Sequence, residues 1–178
     1  YLKNIELDNQ DKFKNNLQTI QKQIKQIENL VNEFSDFARM PKPILRKNNL
    51  VDIINENIKL LSELDKSIDI VFVKNSKKVF LECDQEQLSR VFLNLIKNSI
   101  ESINQKAKNN KNFSKKITIE LNQDDDHIKS TIEDNGVGFN EIKDNIKNIL
   151  NPYFTTKKNG TGLGLSIVNK IINDHNGK

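Results

Sequence analysis

Three glycines stand at alternate positions in the stretch NPYFTTKKNGTGLGLSIVNKII (Asn151 to Ile172): Gly160, Gly162 and Gly164, just ahead of an apolar, helix-like run. Glycine permits positive φ and lets a ligand touch the backbone, and a helix start offers unpaired N–H groups with partial positive charge. The chemistry such a turn suits is phosphate binding. Spacing excludes two familiar phosphate loops. A P-loop needs G-x-x-x-x-G-K-[ST], and a dinucleotide fingerprint wants its third glycine where this chain has Leu165. On the glycines alone, a flexible loop capped into a helix remains the alternative.

Two further groups could share that chemistry. A wheel count from Asp84 onward gathers Leu88, Val91, Phe92, Leu95, Ile96 and Ile103 on one side, with Arg90, Asn94, Lys97, Asn98 and Glu101 on the other. Asn94, Asn98 and Glu101 thus form one ridge. Asparagine costs a helix about half a kcal/mol against alanine, so two at i and i+4 are unexpected on a merely solvated face, the plain alternative. An amide oxygen is a neutral, hard ligand suited to Mg²⁺ that also holds phosphate oxygens and waters. The second group is EDNGVGF, Glu133 to Phe139. Asn135-Gly136 there could be a tight hairpin turn; equally, Asp134 could accept a hydrogen bond from an exocyclic amine while Gly136 and Gly138 let a flat base approach the backbone.

The elements that must position these residues follow from periodicity. From Phe13, apolar residues recur at Leu17, Ile20, Ile24, Ile27, Val31, Phe34 and Ala38, a heptad seam. The prolines of MPKP (Met40 to Pro43) end it. So narrow a stripe requires a partner, another helix or the body of a domain. Leu50, Ile54, Ile58, Leu61 and Leu64 predict a second helix, and IDIVFV and KKVFLEC read as strands. Asp84 with Gln87 predicts a capping box opening a helix to about Ile103, and Asn104 to Lys115 reads as a loop. KITIEL and HIKSTIED predict a hairpin across NQDDD. The stretch from Asn135 to Gly160 holds at most one short helix around Glu141 to Leu150, before a final helix from about Thr161 to Asp174. Loops of that length inside a domain are usually functional. The order predicts an α+β, two-layer sandwich with helices on one face of a mixed sheet.

Composition sets the outer bounds. The 178 residues with 35% hydrophobic content suffice for one core plus an appendage. The net charge of +4 comes from dispersed lysines without interleaved aromatics, which reads as a solvated surface with no nucleic-acid partner. The single cysteine, Cys83, excludes an internal disulfide and suits a reducing compartment. No apolar run approaches ~20 residues and no signal-peptide pattern opens the chain, so a soluble piece is expected. Tyr1 and the closing DHNGK read as cuts within a longer protein, leaving membrane attachment elsewhere open.

The ordered series NLIKNSIES (Asn94 to Ser102), DNGVG (Asp134 to Gly138), PYFTTK (Pro152 to Lys157) and GTGLGL (Gly160 to Leu165) resembles the N, G1, F and G2 boxes of sensor histidine kinases, within the gyrase, Hsp90 and MutL ATP-binding superfamily. The resemblance covers about three quarters of the chain. EFSDFARMPKP also looks like the end of the second dimerisation helix of nitrogen-regulation kinases of the NtrY type. This implies a Bergerat ATP-binding fold over 44–178, preceded by a partial dimerisation region over 1–43. It implies ATP and Mg²⁺ as cofactors, a homodimer through the dimerisation helices, a response regulator as partner, and a cytoplasmic location with any membrane anchor in segments absent here. The implied ATP-binding set is Asn94, Asn98, Glu101, Asp134, Gly136, Gly138, Phe154, Thr155, Lys157, Gly160, Thr161, Gly162, Leu163 and Gly164. Asn94, Asn98 and Lys157 are its catalytic members and Asn98 the metal ligand. Asp134 would recognise the adenine amine, Asn94 would line the phosphate side, and the Gly162 to Gly164 amides would hold phosphates. Phe154 would belong to a lid between Phe139 and Gly160, and Lys157 would reach the γ-phosphate.

The family's phosphoaccepting histidine box has no counterpart: His127 falls in the second strand of the hairpin, and His175 at the end of the last helix reads as structural. The acceptor is expected to precede Tyr1, and the family's final strands to follow the HNGK turn. Two other functions are weighed. A hydrolytic ATPase of the gyrase or MutL kind carries a glutamate four residues before the metal-binding asparagine, where this chain has Asn94. A non-catalytic scaffold would use only the heptad helix and bind no nucleotide.

Overall fold

The computed structural model describes residues 2–108, 110, 112–139, 148–157 and 160–178. α1 (Leu2–Ala38) is a single helix that ends just before the prolines. Its seam lies open, with Phe13 66% and Ile27 62% exposed; near its end Phe37 and then Met40 pack against the core.

A short strand follows that the sequence reading missed, β1 (Arg46–Asn49), which runs directly into α2 (Leu50–Ser62). Asn49 makes the junction. Its side-chain oxygen accepts the Val51 amide at 3.3 Å and the Val79 amide at 3.0 Å, capping the helix and tying it to the chain at Val79. α2 ends before Leu64, which is 72% exposed instead of lying on the expected apolar face. Buried Asn57 stands on that face too, its amide satisfied by Ile53 O at 2.7 Å and Ser89 Oγ at 3.0 Å.

β2 (Asp69–Lys74) pairs parallel with β4 (Lys116–Gln123), and β4 pairs antiparallel with β5 (Ile128–Asp134), giving a mixed sheet of order β2-β4-β5. β3 (Phe80–Cys83) pairs instead with β1, as a separate antiparallel ribbon. On β4 the alternation is complete: Ile117, Ile119 and Leu121 are fully buried while Glu120 faces out. His127 precedes β5, in the turn whose Asp124 carboxylate accepts its amide at 2.6 Å, and not in the strand as expected.

α3 (Gln85–Ala107) is the central element, packed against α2, against α4 (Gly164–Asp174), and across β4 and β5. Its inner face buries Leu88, Val91, Phe92, Ile96 and Ile103, each such side chain contributing on the order of 1.5–3 kcal/mol. It runs four residues past Ile103, into the segment expected as loop. Asp84 caps it through the Gln87 amide at 3.1 Å, but the box is not reciprocal. The Gln87 side chain donates to Pro41 O at 3.0 Å, and the Asp84 amide goes to His175 Nε2 at 3.0 Å. His175 Nδ1 lies 2.8 Å from Ile171 O, so the ring with its proton on Nδ1 staples the end of α4 to the start of α3. The short helix expected around Glu141 to Leu150 lies largely outside the described residues.

Candidate functional site

The site is built along one ridge of α3. Asn94, Asn98, Glu101 and Ser102 follow each other along it, and from Asn94 to Ser102 the helix rises about 12 Å. Each end of that span meets one of the sequence motifs.

At the Ser102 end lies the close of β5. Asp134 Oδ1 accepts the Ser102 hydroxyl at 3.1 Å and the Gly136 amide at 2.9 Å; among the described residues its Oδ2 has no partner. Gly136 is there because nothing larger fits: a Cβ would stand 2.5 Å from the Ser102 carbonyl carbon and 2.7 Å from Ile103 N. Asn135 is structural. Its oxygen accepts the Lys116 amide at 3.0 Å and its amide donates to Ser114 O at 2.7 Å, which closes the sheet beneath the aspartate. Gly138 has φ +65° and, among the described residues, open space around it.

At the Asn94 end lies the glycine turn. Asn94 Nδ2 donates to Arg90 O at 3.0 Å, which turns its Oδ1 toward Gly164, 3.3 Å from where a Cβ would stand. Gly162 adopts φ +70°, with Tyr153 backbone 2.5 Å from its missing Cβ. Tyr153, itself at φ 68°, donates its amide to Gly162 O at 3.1 Å. The two close positive-φ residues lock the PYFTTK segment to the glycine turn. α4 opens at Gly164 with no side-chain cap, leaving its first-turn amides to another acceptor. One expected donor is already engaged: the Leu163 amide reaches Thr161 Oγ1 at 3.3 Å, and Leu163 itself is fully buried.

Between the ends stands Lys157. Its ammonium lies 2.8 Å from Asn98 Oδ1 and 2.5 Å from Glu101 Oε2, both about sixty residues away in sequence. Thr155 supports it by accepting the Lys157 amide at 3.1 Å, while Gly160 donates to Lys157 O at 3.2 Å. Phe154 is half-buried, its amide on Asn151 O at 3.2 Å. Thr161 donates its hydroxyl to Glu33 of α1. The structure therefore brings Asn94 to Gly164, Asn98 and Glu101 to Lys157, and Ser102 to Asp134. An open cleft of about 330 Å³ lies elsewhere, between Phe37 and α4.

Sequence reasoning left two contributors unassigned. Ser102 was legible, one turn beyond Asn98 on the same ridge. Glu33 was not, since nothing local links it to a threonine 128 residues on.

Residues 83–178 match the family described as histidine kinase-, DNA gyrase B- and HSP90-like ATPases. The chain is 33% identical over 172 residues to a putative NtrY-like sensor histidine kinase of Rickettsia conorii, covering 97% of this chain and 27% of that protein, so it spans about a quarter of that relative's length. Among solved structures, the nucleotide-free catalytic domain of histidine kinase ThkA superposes with a TM-score of 0.61 at 30% identity, over 74% of this chain and 81% of that one. ThkA in complex with response regulator protein TrrA gives 0.67 at 25% identity, over 89% of this chain and 43% of that one. The α+β sandwich is thus the fold of histidine kinase catalytic domains.

Proposed function

The chain belongs to the histidine kinase-, DNA gyrase B- and HSP90-like ATPase family, and from that premise we propose that it is the ATP-binding catalytic part of a two-component sensor histidine kinase of the NtrY-like type. It gives the γ-phosphoryl group of Mg·ATP to a histidine on a dimerisation helix outside these residues, for relay to a response regulator. Residues 1–43 are part of the dimerisation region and 44–178 the ATP-binding domain; the exposed seam of α1 and the break at Pro41 to Pro43 support that division. The intact protein is a homodimer through such helices, on the cytoplasmic side, with any anchor elsewhere. No described helix is long and apolar enough to cross a membrane.

One observation carries the reading: a single helix ridge spans from an Asp134 carboxylate oxygen that has no partner among the described residues to the uncapped start of α4. Asp134 Oδ2 is the acceptor for the adenine amine, with Gly136 and Gly138 beside the base. Asn94 and the amides of Gly162 and Gly164 take the phosphates, and Lys157 takes the γ-phosphate. The residues fit Mg²⁺: Asn98 Oδ1 is a hard oxygen already bonded to a cationic group, and a metal held mostly by phosphates and water needs few protein ligands. When bound, the metal supplies charge neutralisation on the phosphates. What the chain itself does is position and neutralise, leaving nucleophile and base to the acceptor helix. The alternative of water attack is disfavoured because Asn94, where a general base would stand, is an amide committed to Arg90 O.

The test is calorimetry with Mg·ADP. Asp134→Ala should lose about 1–3 kcal/mol, one to two decades in Kd, because the amine then lies unpaired. Unchanged affinity would remove Asp134 from the site. In a companion assay with labelled ATP, the chain should stay unlabelled while a supplied acceptor helix bearing the histidine box gains label.

A further inference from the structure

The Lys157 ammonium does more than sit near the ridge. It bonds the very oxygen that the proposed function assigns to the metal, Asn98 Oδ1 at 2.8 Å, and the carboxylate one turn further, Glu101 Oε2 at 2.5 Å. Both Lys157 and Glu101 are 44% exposed, so neither is forced together by burial. What holds the lysine there is the turn that carries it. Its amide is tied to Thr155, its carbonyl to Gly160, and the segment is locked to Gly162 by the Tyr153 amide. A side chain at Gly160 would meet Thr155 Oγ1 at 2.6 Å and Lys157 Cβ at 3.0 Å, so glycine lets the turn close without displacing the threonine that holds the Lys157 amide.

We propose that Asn98 and Glu101 form one cation site, which Lys157 fills when no metal is bound, and that Glu101 is a second oxygen donor toward the metal or its waters. The inference rests on the nucleotide-binding reading above and adds to it the identity of the second donor and of the competitor. The physical argument is exclusion. A metal on Asn98 Oδ1 stands about 2.1 Å from that oxygen, and with the ammonium also on it the two cations would lie within about 5 Å at a half-exposed site. Like charges that close disfavour joint occupancy. Metal entry must therefore move the ammonium, and the freed lysine becomes available to the γ-phosphate of an incoming ATP, a group that ADP lacks. Glu101 makes the metal-free site neutral, one carboxylate balancing the lysine, and it would balance half of a divalent metal's charge once the lysine has left.

The test separates competitor from ligand. ADP binding is measured by calorimetry with Mg²⁺ and again in EDTA, on the wild-type chain, Lys157→Gln, Lys157→Gln/Glu101→Gln and Asn98→Ala, with melting curves to verify that each is folded. Removing the lysine should tighten Mg²⁺-dependent ADP binding several-fold and leave binding in EDTA unchanged. On that lysine-free background, Glu101→Gln should weaken the Mg²⁺-dependent affinity about tenfold. Titration of Mn²⁺ alone, followed by electron paramagnetic resonance, should show the same ranking without nucleotide. Weaker or unchanged Mg·ADP binding in Lys157→Gln overturns the competition. A double variant equal to Lys157→Gln overturns the role of Glu101. If the wild type shows no Mg²⁺-dependent ADP binding, the nucleotide reading fails and takes this inference with it; if wild type binds and Asn98→Ala alone is affected, only the inference fails.

Discussion

α1 and α3 are both long helices with a periodic apolar stripe, yet the protein treats them oppositely. On α3, Ile96 and Ile103 are fully buried; on α1, Phe13, Ile24 and Ile27 are each 60% or more exposed. The difference is not in the pattern but in the surroundings. α3 has a sheet face, α2 and α4 to lie against, and its polar ridge is left to face a ligand. α1 meets the rest of the chain mainly at its C-terminal end, through Phe37 and Glu33. Periodicity therefore reports that a stripe must be covered, and topology decides by what.

The largest expected effect tests that contrast directly. Ile96→Ala removes a side chain with no exposure and should cost 2–5 kcal/mol in urea-induced unfolding, whereas Ile27→Ala should stay within about 0.5 kcal/mol. Equal costs would break the comparison, because they would mean that the seam of α1 is already buried in solution. The same pair becomes sharper once a first helix is supplied, when Ile27→Ala should acquire a cost of its own.

A second prediction compares glycines within the site. Gly136→Ala forces a methyl against the backbone of Ser102 and Ile103, and should cost about 1–3 kcal/mol by moving β5 off α3. Gly138→Ala meets open space and pays only for its φ of +65°, about 1 kcal/mol. Thermal melts of the two variants read the difference. A Gly138 variant as damaged as Gly136 would show that the turn after Asp134 is packed more tightly than these contacts indicate.

The ridge, the cap at Asp84 and the β4–β5 hairpin were legible because each is a local pattern: a 3.6 period, an acidic residue ahead of it, a 2.0 period either side of polar residues. What escaped was settled over distance. β1 is only Arg-Lys-Asn-Asn, with no strand propensity, and exists because it pairs with β3 and because Asn48 donates to Cys83 O at 2.8 Å. Asn57 counts as polar on any wheel, yet Ser89 of a different helix makes it a core residue. In the site, the motifs named the residues, but not that Lys157 would stand on Asn98, nor that Glu33 would reach Thr161. A side chain's partner across a hundred residues leaves no mark near it in the sequence.

The smallest effect lies where the two regions join. Asp84 takes the Ile44 amide at 2.9 Å with one carboxylate oxygen and the Gln87 amide with the other, so one residue ties the chain leaving α1 to the start of α3. Burial pushes its carboxyl up, but the backbone N–H groups outweigh that and hold it below the usual carboxylate range. A carboxyl lowered by folding contributes stability that is fully present above its unfolded value, near 3.8, and is lost as pH falls through that value toward the folded one. The sign is therefore loss on the acid side only. Asp84→Asn keeps the shape and one acceptor oxygen, and should cost about 1 kcal/mol near neutral pH, shrinking as pH drops below about 4. Asp65 is lowered still further, chiefly by the Ser67 hydroxyl, with Lys115 and Asn104 also bonded, and it titrates in both proteins, so it cancels in the difference. Urea titrations of the two proteins at pH 7 and pH 3 decide it. A gap that persists undiminished at pH 3 would show that the loss comes from the missing acceptor atom and not from the charge, and would leave the junction of α1 and α3 neutral in its energetics.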